Sequence, residues 1–173
     1  MTNEKALYDR QLLTYGEEAQ KLMQQSSCLI SGLDGVGVEA AKNVILSGVK
    51  VVSIHDTALT TIADLTTQFY LTEGDIGKNR AEACVAKLAE LNQYVHVEAI
   101  TGNLTDDIIK KFKVIVLINQ SGEEIERISK VTRANGIKFI ICDTAGLFTR
   151  IFVDVGESHL VSDLDGQRLK MAV

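Results

Sequence analysis

Three glycines and one aspartate form the most informative chemical pattern in the sequence. Gly32, Gly35 and Gly37 follow the apolar residues 28–30 and open a stretch with helical spacing, and Asp56 lies 19 positions beyond Gly37. Glycines let a ligand approach the backbone, and the start of a helix directs unpaired N–H groups and a positive dipole end at an anion. An acid at this distance suits a ribose hydroxyl. The pattern predicts a nucleotide site at the turn.

The same turn has a structural interpretation, in which the glycines only let a helix pack closely on a strand. A lone glycine pattern does not separate the two, although the order strand, turn, helix, strand and terminal acid favours a nucleotide. An NAD-dependent oxidoreductase is one function that the turn and Asp56 suggest. Against it, the sequence offers no clear catalytic acid or hydride-site residue.

Composition limits the class of protein. The 173 residues are 46% hydrophobic and 24% charged, which is typical of one globular α/β domain. The net charge of −5 argues against a nucleic-acid binder that neutralises phosphates. Because no apolar run approaches 18 residues and the N-terminus lacks a signal-like apolar region, we expect no membrane contact and an intracellular protein. Three isolated cysteines predict buried, reduced thiols and no metal site: Cys28, Cys84 and Cys142.

Strands and helices must alternate to position these residues. Residues 5–25 have helical spacing with Gly16 as a break, and the β-branched run 114–118 is typical of a strand buried on both faces. Further strands are predicted at residues 28–30, 51–56, 95–100, 137–143 and 149–155, and helices at 38–48, 78–93, 106–111 and 121–135, with one or two short helices in the loop 57–77. This order predicts an α/β fold with a mostly parallel sheet, helices on both faces and an antiparallel edge strand.

Five stretches together point to a family. They are Tyr8-Asp9-Arg10-Gln11, the glycine turn, residues 63–69, residues 75–81 and residues 143–148. In this order they resemble the ThiF/MoeB superfamily of adenylating enzymes, and more narrowly the N-terminal half of eukaryotic ubiquitin-activating enzymes. The resemblance implies a Rossmann-like, ThiF/MoeB-type sheet. It also implies an inactive adenylation domain over residues 1–156, with the helical pair 5–25 included, and the start of a further, truncated domain at 157–173.

The resemblance implies a role within a larger enzyme. Such a parent enzyme uses ATP and Mg²⁺ to adenylate the C-terminal glycine of ubiquitin, then captures the acyl group on a cysteine of a separate domain. Its two Rossmann-like halves form a pseudo-dimer, and this sequence is similar to the half without a working ATP site. The implied partners are the active half, ubiquitin and ubiquitin-conjugating enzymes, with no nucleic acid or membrane, in cytoplasm and nucleus. A non-catalytic subunit that activates SUMO or another modifier is the alternative.

The family's adenylation residues are incomplete here. Adenylation needs cations against the phosphates and a carboxylate for magnesium. By resemblance, the loop arginine of active members falls on the uncharged Thr66 and Thr67, and the metal-binding aspartate falls on Asn119. We therefore expect the chain alone to be inactive, to hold no metal and to require no cofactor. Any residual, weak nucleotide binding would involve Gly32, Gly35, Gly37, Asp56, Lys78 and Arg80, where Arg80 replaces the family's phosphate-binding lysine.

The resemblance leaves one catalytic role, for Arg10. In family members this arginine reaches across the pseudo-dimer and contacts the triphosphate in the partner's site, so Arg10 is the expected arginine finger. A guanidinium suits this role because its charge is permanent and its fork matches phosphate oxygens. The structural alternative is a surface ion pair of Arg10 with Asp9 or Glu17.

Other residues carry weaker signals. Lys78 could contact phosphate or be a charge at a helix N-terminus, and Asp143 could be functional at the end of its strand or cap the turn into Gly146. Cys142 lies in a predicted strand, where burial raises a thiol pKa, so it is unsuited to carry the acyl group. Three phenylalanines are expected in the core or the pseudo-dimer interface: Phe69, Phe148 and Phe152.

Overall fold

The computed structural model describes residues 6–161. Its strands are β1 (Ser27–Ser31), β2 (Val51–His55), β3 (His96–Ile100), β4 (Val114–Ile118), β5 (Lys138–Ala145) and β6 (Phe148–Asp154). Its helices are α1 (Asp9–Met23), α2 (Gly35–Leu46), α3 (Arg80–Ala89), α4 (Asp106–Ile109) and α5 (Gly122–Ala134). No helix in this part of the chain is both long and apolar enough to cross a membrane. The predicted domain start at residue 157 falls mostly outside the described residues.

The strands form one sheet in the order β3-β2-β1-β4-β5-β6. The first five run parallel, and β6 is antiparallel to β5. The predicted α/β fold with an antiparallel edge strand is therefore confirmed. The strand order reverses between β1 and β4, and open α/β sheets bind ligands outside the carboxyl ends of the strands at such a switch point.

Helices cover the sheet on both faces. Val38 and Ile45 of α2 pack with α3 and with the side chains of β1 and β2 that point to one face. On the other face, Ile128 of α5 packs with α4 and with Leu29, Ile115 and Phe139. Because β1 and β4 lie between these two layers, their leucine and isoleucine side chains are almost fully buried, whereas Val114 and Val116 of β4 are only partly buried.

Tyr8 anchors the N-terminal helical region to the sheet layer. Its ring packs on Gly48, where an added Cβ would lie 2.7 Å from the ring, and its hydroxyl accepts a hydrogen bond of 2.7 Å from Asn92 Nδ2. Gly16, at φ +85°, interrupts α1 with a non-helical conformation. The predicted break at Gly16 is confirmed, and Tyr8 fixes the half of α1 that carries Arg10.

The crossing loop, residues 57–77, contains two short 3₁₀ helices, at Asp64–Thr66 and Glu73–Asp75, as predicted. The next helix, α3, is shorter than the predicted span 78–93. It starts at Arg80 because Asn79 is extended and its side chain accepts hydrogen bonds from the backbone N–H groups of Ala81 and Glu82.

Of the two places expected for the three phenylalanines, the core was wrong for all of them, and the pseudo-dimer interface stays a prediction. Phe69 is 83% exposed in the crossing loop, where its only ring contact within residues 6–161 is an edge-on one to Tyr70. Phe148 and Phe152 lie on the exposed strand β6. Strand β6 pairs with β5 on one side, and no described helix covers its faces, so its apolar residues stay in water.

Candidate functional site

The glycine turn connects β1 to α2 at the carboxyl end of the sheet. Gly32 has φ +97°, and a Cβ there would lie 2.2 Å from the carbonyl oxygen of Ile118. A Cβ on Gly37 would lie 1.8 Å from the Gly32 oxygen, and one on Gly35 would lie 2.8 Å from the Thr67 oxygen. Close packing of the turn is therefore enough to require glycine at all three positions, whether or not a phosphate approaches them.

Asp34 occupies the N-terminus of α2. Its Oδ1 accepts hydrogen bonds of 3.0 Å from the backbone N–H groups of both Val36 and Gly37. These are N–H groups that a phosphate would use at a helix start. The Asp34 carboxylate thus occupies the place at this helix end that the phosphate of a bound nucleotide would take.

Asp56, the predicted ribose acid, is buried and accepts three hydrogen bonds from protein groups. Its Oδ2 accepts hydrogen bonds from the backbone N–H of Leu33 at 2.7 Å and from Arg80 Nε at 2.9 Å. Its Oδ1 accepts one from the backbone N–H of Ala58 at 2.8 Å. The carboxylate joins the glycine turn, the end of β2 and α3, and these three donors leave about one of its acceptor sites for a ribose hydroxyl.

Arg80 is shared between two carboxylates. Besides Asp56, its guanidinium contacts Asp64 of the crossing loop, with 3.0 Å between Nη1 and Oδ1. Burial raises the pKa of Asp64, but hydrogen bonds from Thr61 and Arg80 outweigh burial and hold that pKa below its usual value. Lys78 precedes α3 and pairs with Asp75 at 3.0 Å. Both cations that were predicted near phosphate therefore contact acids of the crossing loop.

Asn119 bridges three elements above the glycine turn. It has φ +49°, an unusual conformation for a residue other than glycine. Its Nδ2 donates to Asp34 Oδ2 at 2.5 Å, and its Oδ1 accepts from the backbone N–H of Thr144 at 2.7 Å. The bridge borders an open cleft of about 410 Å³ lined by Asp34, Gly35, Val36, Thr67 and Thr144. Among residues 6–161, no group of three or more His, Cys, Asp or Glu could hold a metal ion.

Arg10 lies apart from this cluster, on the exposed first half of α1. No ion pair joins it to any residue in the described range, so the predicted alternative of a pair with Asp9 or Glu17 is not present. The Tyr8 anchor fixes the backbone next to it, so Arg10 projects from an ordered position.

A buried histidine lies beside Asp56. His55 Nε2 donates to the carbonyl oxygen of Gly102 at 2.9 Å, which leaves Nδ1 to accept from the Ser31 hydroxyl at 2.8 Å. Burial lowers the pKa of His55, although the Gly102 carbonyl and Asp56 partly oppose the effect. The ring is held neutral, and it ties the ends of β1 and β2 together.

The cysteines and Asp143 have structural roles. Burial raises the pKa of Cys28 and of Cys84 to about 12, and it also raises that of the half-buried Cys142. All three cysteines are free, and their thiols are poor nucleophiles at neutral pH, as predicted. Asp143 contacts Arg150 across the β5–β6 hairpin.

Sequence reasoning missed Asp34 and Asp64. Asp34 carried a signal, because an aspartate just before a helix is a preferred N-cap. Asp64 carried none, because its partner Arg80 is 16 residues away and only the path of the crossing loop brings them together.

Comparison with known proteins identifies the family. The ThiF family model matches residues 8–168. The chain belongs to the ThiF family. Solved structures agree on the fold of this ThiF domain: E. coli MccB with AMPCPP and MccA superposes with a TM-score of 0.77 at 20% identity, over 90% of this chain and 50% of MccB. E. coli tRNA N6-threonylcarbamoyladenosine dehydratase TcdA with AMP gives a TM-score of 0.71 at 17% identity, over 82% of this chain and 59% of TcdA.

Two sequence relatives are much more similar to this ThiF domain. It is 50% identical over 165 residues to ubiquitin-like modifier-activating enzyme 1 of Rattus norvegicus. It is 47% identical over 165 residues to ubiquitin-activating enzyme E1 1 of Schizosaccharomyces pombe. In both comparisons the match covers 95% of this chain and 16% of the relative. The chain therefore spans a small part of the length of these relatives.

Proposed function

We propose that the chain is the non-adenylating half of a ubiquitin-activating enzyme. In this role it supports the active half, donates Arg10 to the ATP site of that half and helps to form the surface that receives ubiquitin. ATP and Mg²⁺ bind the active half, and this half needs neither. The parent enzyme acts as an ATP-dependent ligase in the cytoplasm and nucleus, and passes ubiquitin to conjugating enzymes.

The proposal rests mainly on one observation: side chains of this protein already form hydrogen bonds with the groups that would bind a nucleotide. Asp34 takes the helix N–H groups, and Asp56 and Asp64 take the guanidinium of Arg80. A phosphate at the helix start would have to displace Asp34 from these N–H groups, and the nucleotide would find no charged group at Thr67 and no carboxylate at Asn119. Adenylation needs both kinds of group.

Arg10 supports the second part of the proposal. It is an exposed cation without an acidic partner in the described residues, on a helix that Tyr8 anchors. An unpaired arginine costs little to bring against a triphosphate, because no ion pair has to break. The name of the Schizosaccharomyces pombe relative, at 47% identity, favours ubiquitin over SUMO as the modifier of the parent enzyme.

The test uses ubiquitin-dependent exchange of pyrophosphate into ATP, measured with the full-length parent enzyme. Replacing Arg10 by Ala should lower the exchange rate by roughly 100-fold, because the transition state loses one charged donor. The Arg10→Lys variant should recover part of the rate. Lys21→Ala, an exposed cation removed from the same helix, is the matched control and should leave the rate unchanged.

Two results would contradict the proposal. Exchange catalysed by the 173-residue chain alone would make this half a working adenylation domain. A full rate for Arg10→Ala would remove the arginine from the partner's site, even if the scaffold role remained.

A further inference from the structure

We propose that Asp34 is an internal anion that closes the glycine turn, and that Asn119 holds it there. The inference rests on the proposed function, because it names the residues that keep this half without a nucleotide. According to this inference, the turn is closed to a nucleotide by side chains that the chain possesses, and not only because it lacks catalytic groups.

The first step is the position of the Asp34 carboxylate. One oxygen accepts from two consecutive N–H groups of the first turn of α2, each at 3.0 Å. A phosphate at a helix start uses the same donors and the same dipole. Since each N–H has one hydrogen, the carboxylate and a phosphate compete for it. The carboxylate also repels a second anion at this short range.

The second step is the other oxygen of Asp34. It accepts from Asn119 Nδ2 at 2.5 Å, and the Asn119 side chain is itself fixed by the Thr144 N–H. A carboxylate at position 119 would set two negative charges in contact, which is unfavourable unless a cation or proton joins them. The amide of Asn119 avoids this repulsion. Asp34 and Asn119 are therefore compatible as a pair. The amide of Asn119 donates to the Asp34 carboxylate from the position in which a cation would otherwise neutralise it.

The third step is the space around the pair. The cleft bordered by Asp34, Thr67 and Thr144 has a volume of about 410 Å³ and opens to solvent. Its lining residues other than Asp34 are uncharged. Removal of one carboxylate would therefore change the cleft from anionic to neutral and free two N–H groups that point at it.

The experiment titrates the 173-residue chain with inorganic pyrophosphate at constant ionic strength, and follows the backbone amide signals of Val36 and Gly37 by NMR. Asp34→Ala removes the carboxylate, and Asp34→Ser removes its charge but keeps a side-chain oxygen that can cap the helix. In both variants pyrophosphate should bind about tenfold or more tightly than in the unmodified chain, because the negative charge at the turn is gone and, in Asp34→Ala, both N–H groups are also free.

Two control variants separate site closure from overall charge. Asp34→Glu keeps a carboxylate near the turn and should bind pyrophosphate as weakly as the unmodified chain. Glu39→Gln removes one negative charge from the same helix without touching the turn, since Glu39 pairs with Lys42, and it should not tighten binding.

Three results would overturn the inference. They are a folded Asp34→Ser variant that binds no better than the unmodified chain, an equal gain in Glu39→Gln, and an unmodified chain that already binds pyrophosphate as tightly as the variants. None of these alone contradicts the proposed function, which fails on adenylation by the isolated chain or on a neutral Arg10→Ala variant.

Discussion

Arg80 shows how side chains at the carboxyl end of this sheet bind one another. A lysine in its place would offer a single compact charge, whereas the planar guanidinium of Arg80 contacts Asp56 through Nε and Asp64 through Nη1 at the same time. Buried carboxylates need such partners, because removal of one member of a buried pair leaves an uncompensated charge. The identities of Asp56 and Arg80 are visible in the sequence. Their pairing is not, because it depends on where the crossing loop places Asp64.

His55 makes the stability of the domain depend on pH. Its pKa in the folded chain lies below the value of about 6.5 that it has when unfolded. Between these two pKa values the unfolded chain binds more protons, so the free energy of unfolding falls as the pH drops below about 6.5. Urea unfolding at pH 7.5 and pH 5.5 should show this loss, and the His55→Asn variant should show a smaller difference between the two pH values.

Two features make this prediction specific. The carboxylates with lowered pKa values lose their contribution only below their ordinary pKa of about 4, outside the tested interval; they are Asp64, Asp75, Glu124 and Glu126. The His96→Asn variant, at an exposed histidine 3.6 Å from Glu98, measures separately how much of the pH dependence comes from a histidine outside the buried site. An equal pH dependence in His55→Asn would assign the effect to other groups.

At the scale of elements, periodicity predicted which segments are strands and helices, because burial on one or two faces leaves a repeat in the sequence. The run 114–118 matches β4 residue for residue, and Gly16 marks the break in α1. Periodicity did not predict that the side chains of β6 are exposed, because the same alternation of apolar residues occurs in strands that face a core and in strands that face solvent. The exposed phenylalanines of β6 follow from its edge position, which is a property of the whole sheet.

The glycine turn depends on Gly37 for its close approach to β1. Replacing Gly37 by Ala would set a Cβ 1.8 Å from the Gly32 oxygen, so the backbone would have to move. We expect a loss of about 2 kcal/mol or more in the free energy of unfolding, measured by urea denaturation. Gly102→Ala is the matched control, because its Cβ would meet nothing within 4 Å, and it should change stability by about 0.5 kcal/mol or less. Equal losses in the two variants would show that the close approach is not the cause.

On the scale of the whole molecule, the hairpin of β5 and β6 presents an uncovered apolar surface. Its exposed members are Leu147, Phe148, Ile151, Phe152 and Val153. Strand β6 pairs with β5 through seven consecutive residues and contains no lysine or proline, the residues that usually protect an edge strand. Phe148 and Phe152 lie on one face of β6, and Ile151 and Val153 lie on the other. Exposed apolar residues on both faces of an edge strand are typical of an interface, which fits the proposed packing against another half.

In the absence of the proposed partner half, we expect the chain to self-associate through this hairpin. Light scattering across a dilution series should give a mass that rises with concentration, because burial of exposed apolar side chains favours association. Phe152→Ser should raise the dissociation constant of self-association by roughly 10-fold or more, since burial of one phenylalanine is worth about 1.5–3 kcal/mol. Phe69→Ser removes an equally apolar and more exposed side chain from the crossing loop, and it should leave association unchanged. A monomer at the highest concentration, or a loss of association only in Phe69→Ser, would show that the hairpin is not the surface involved.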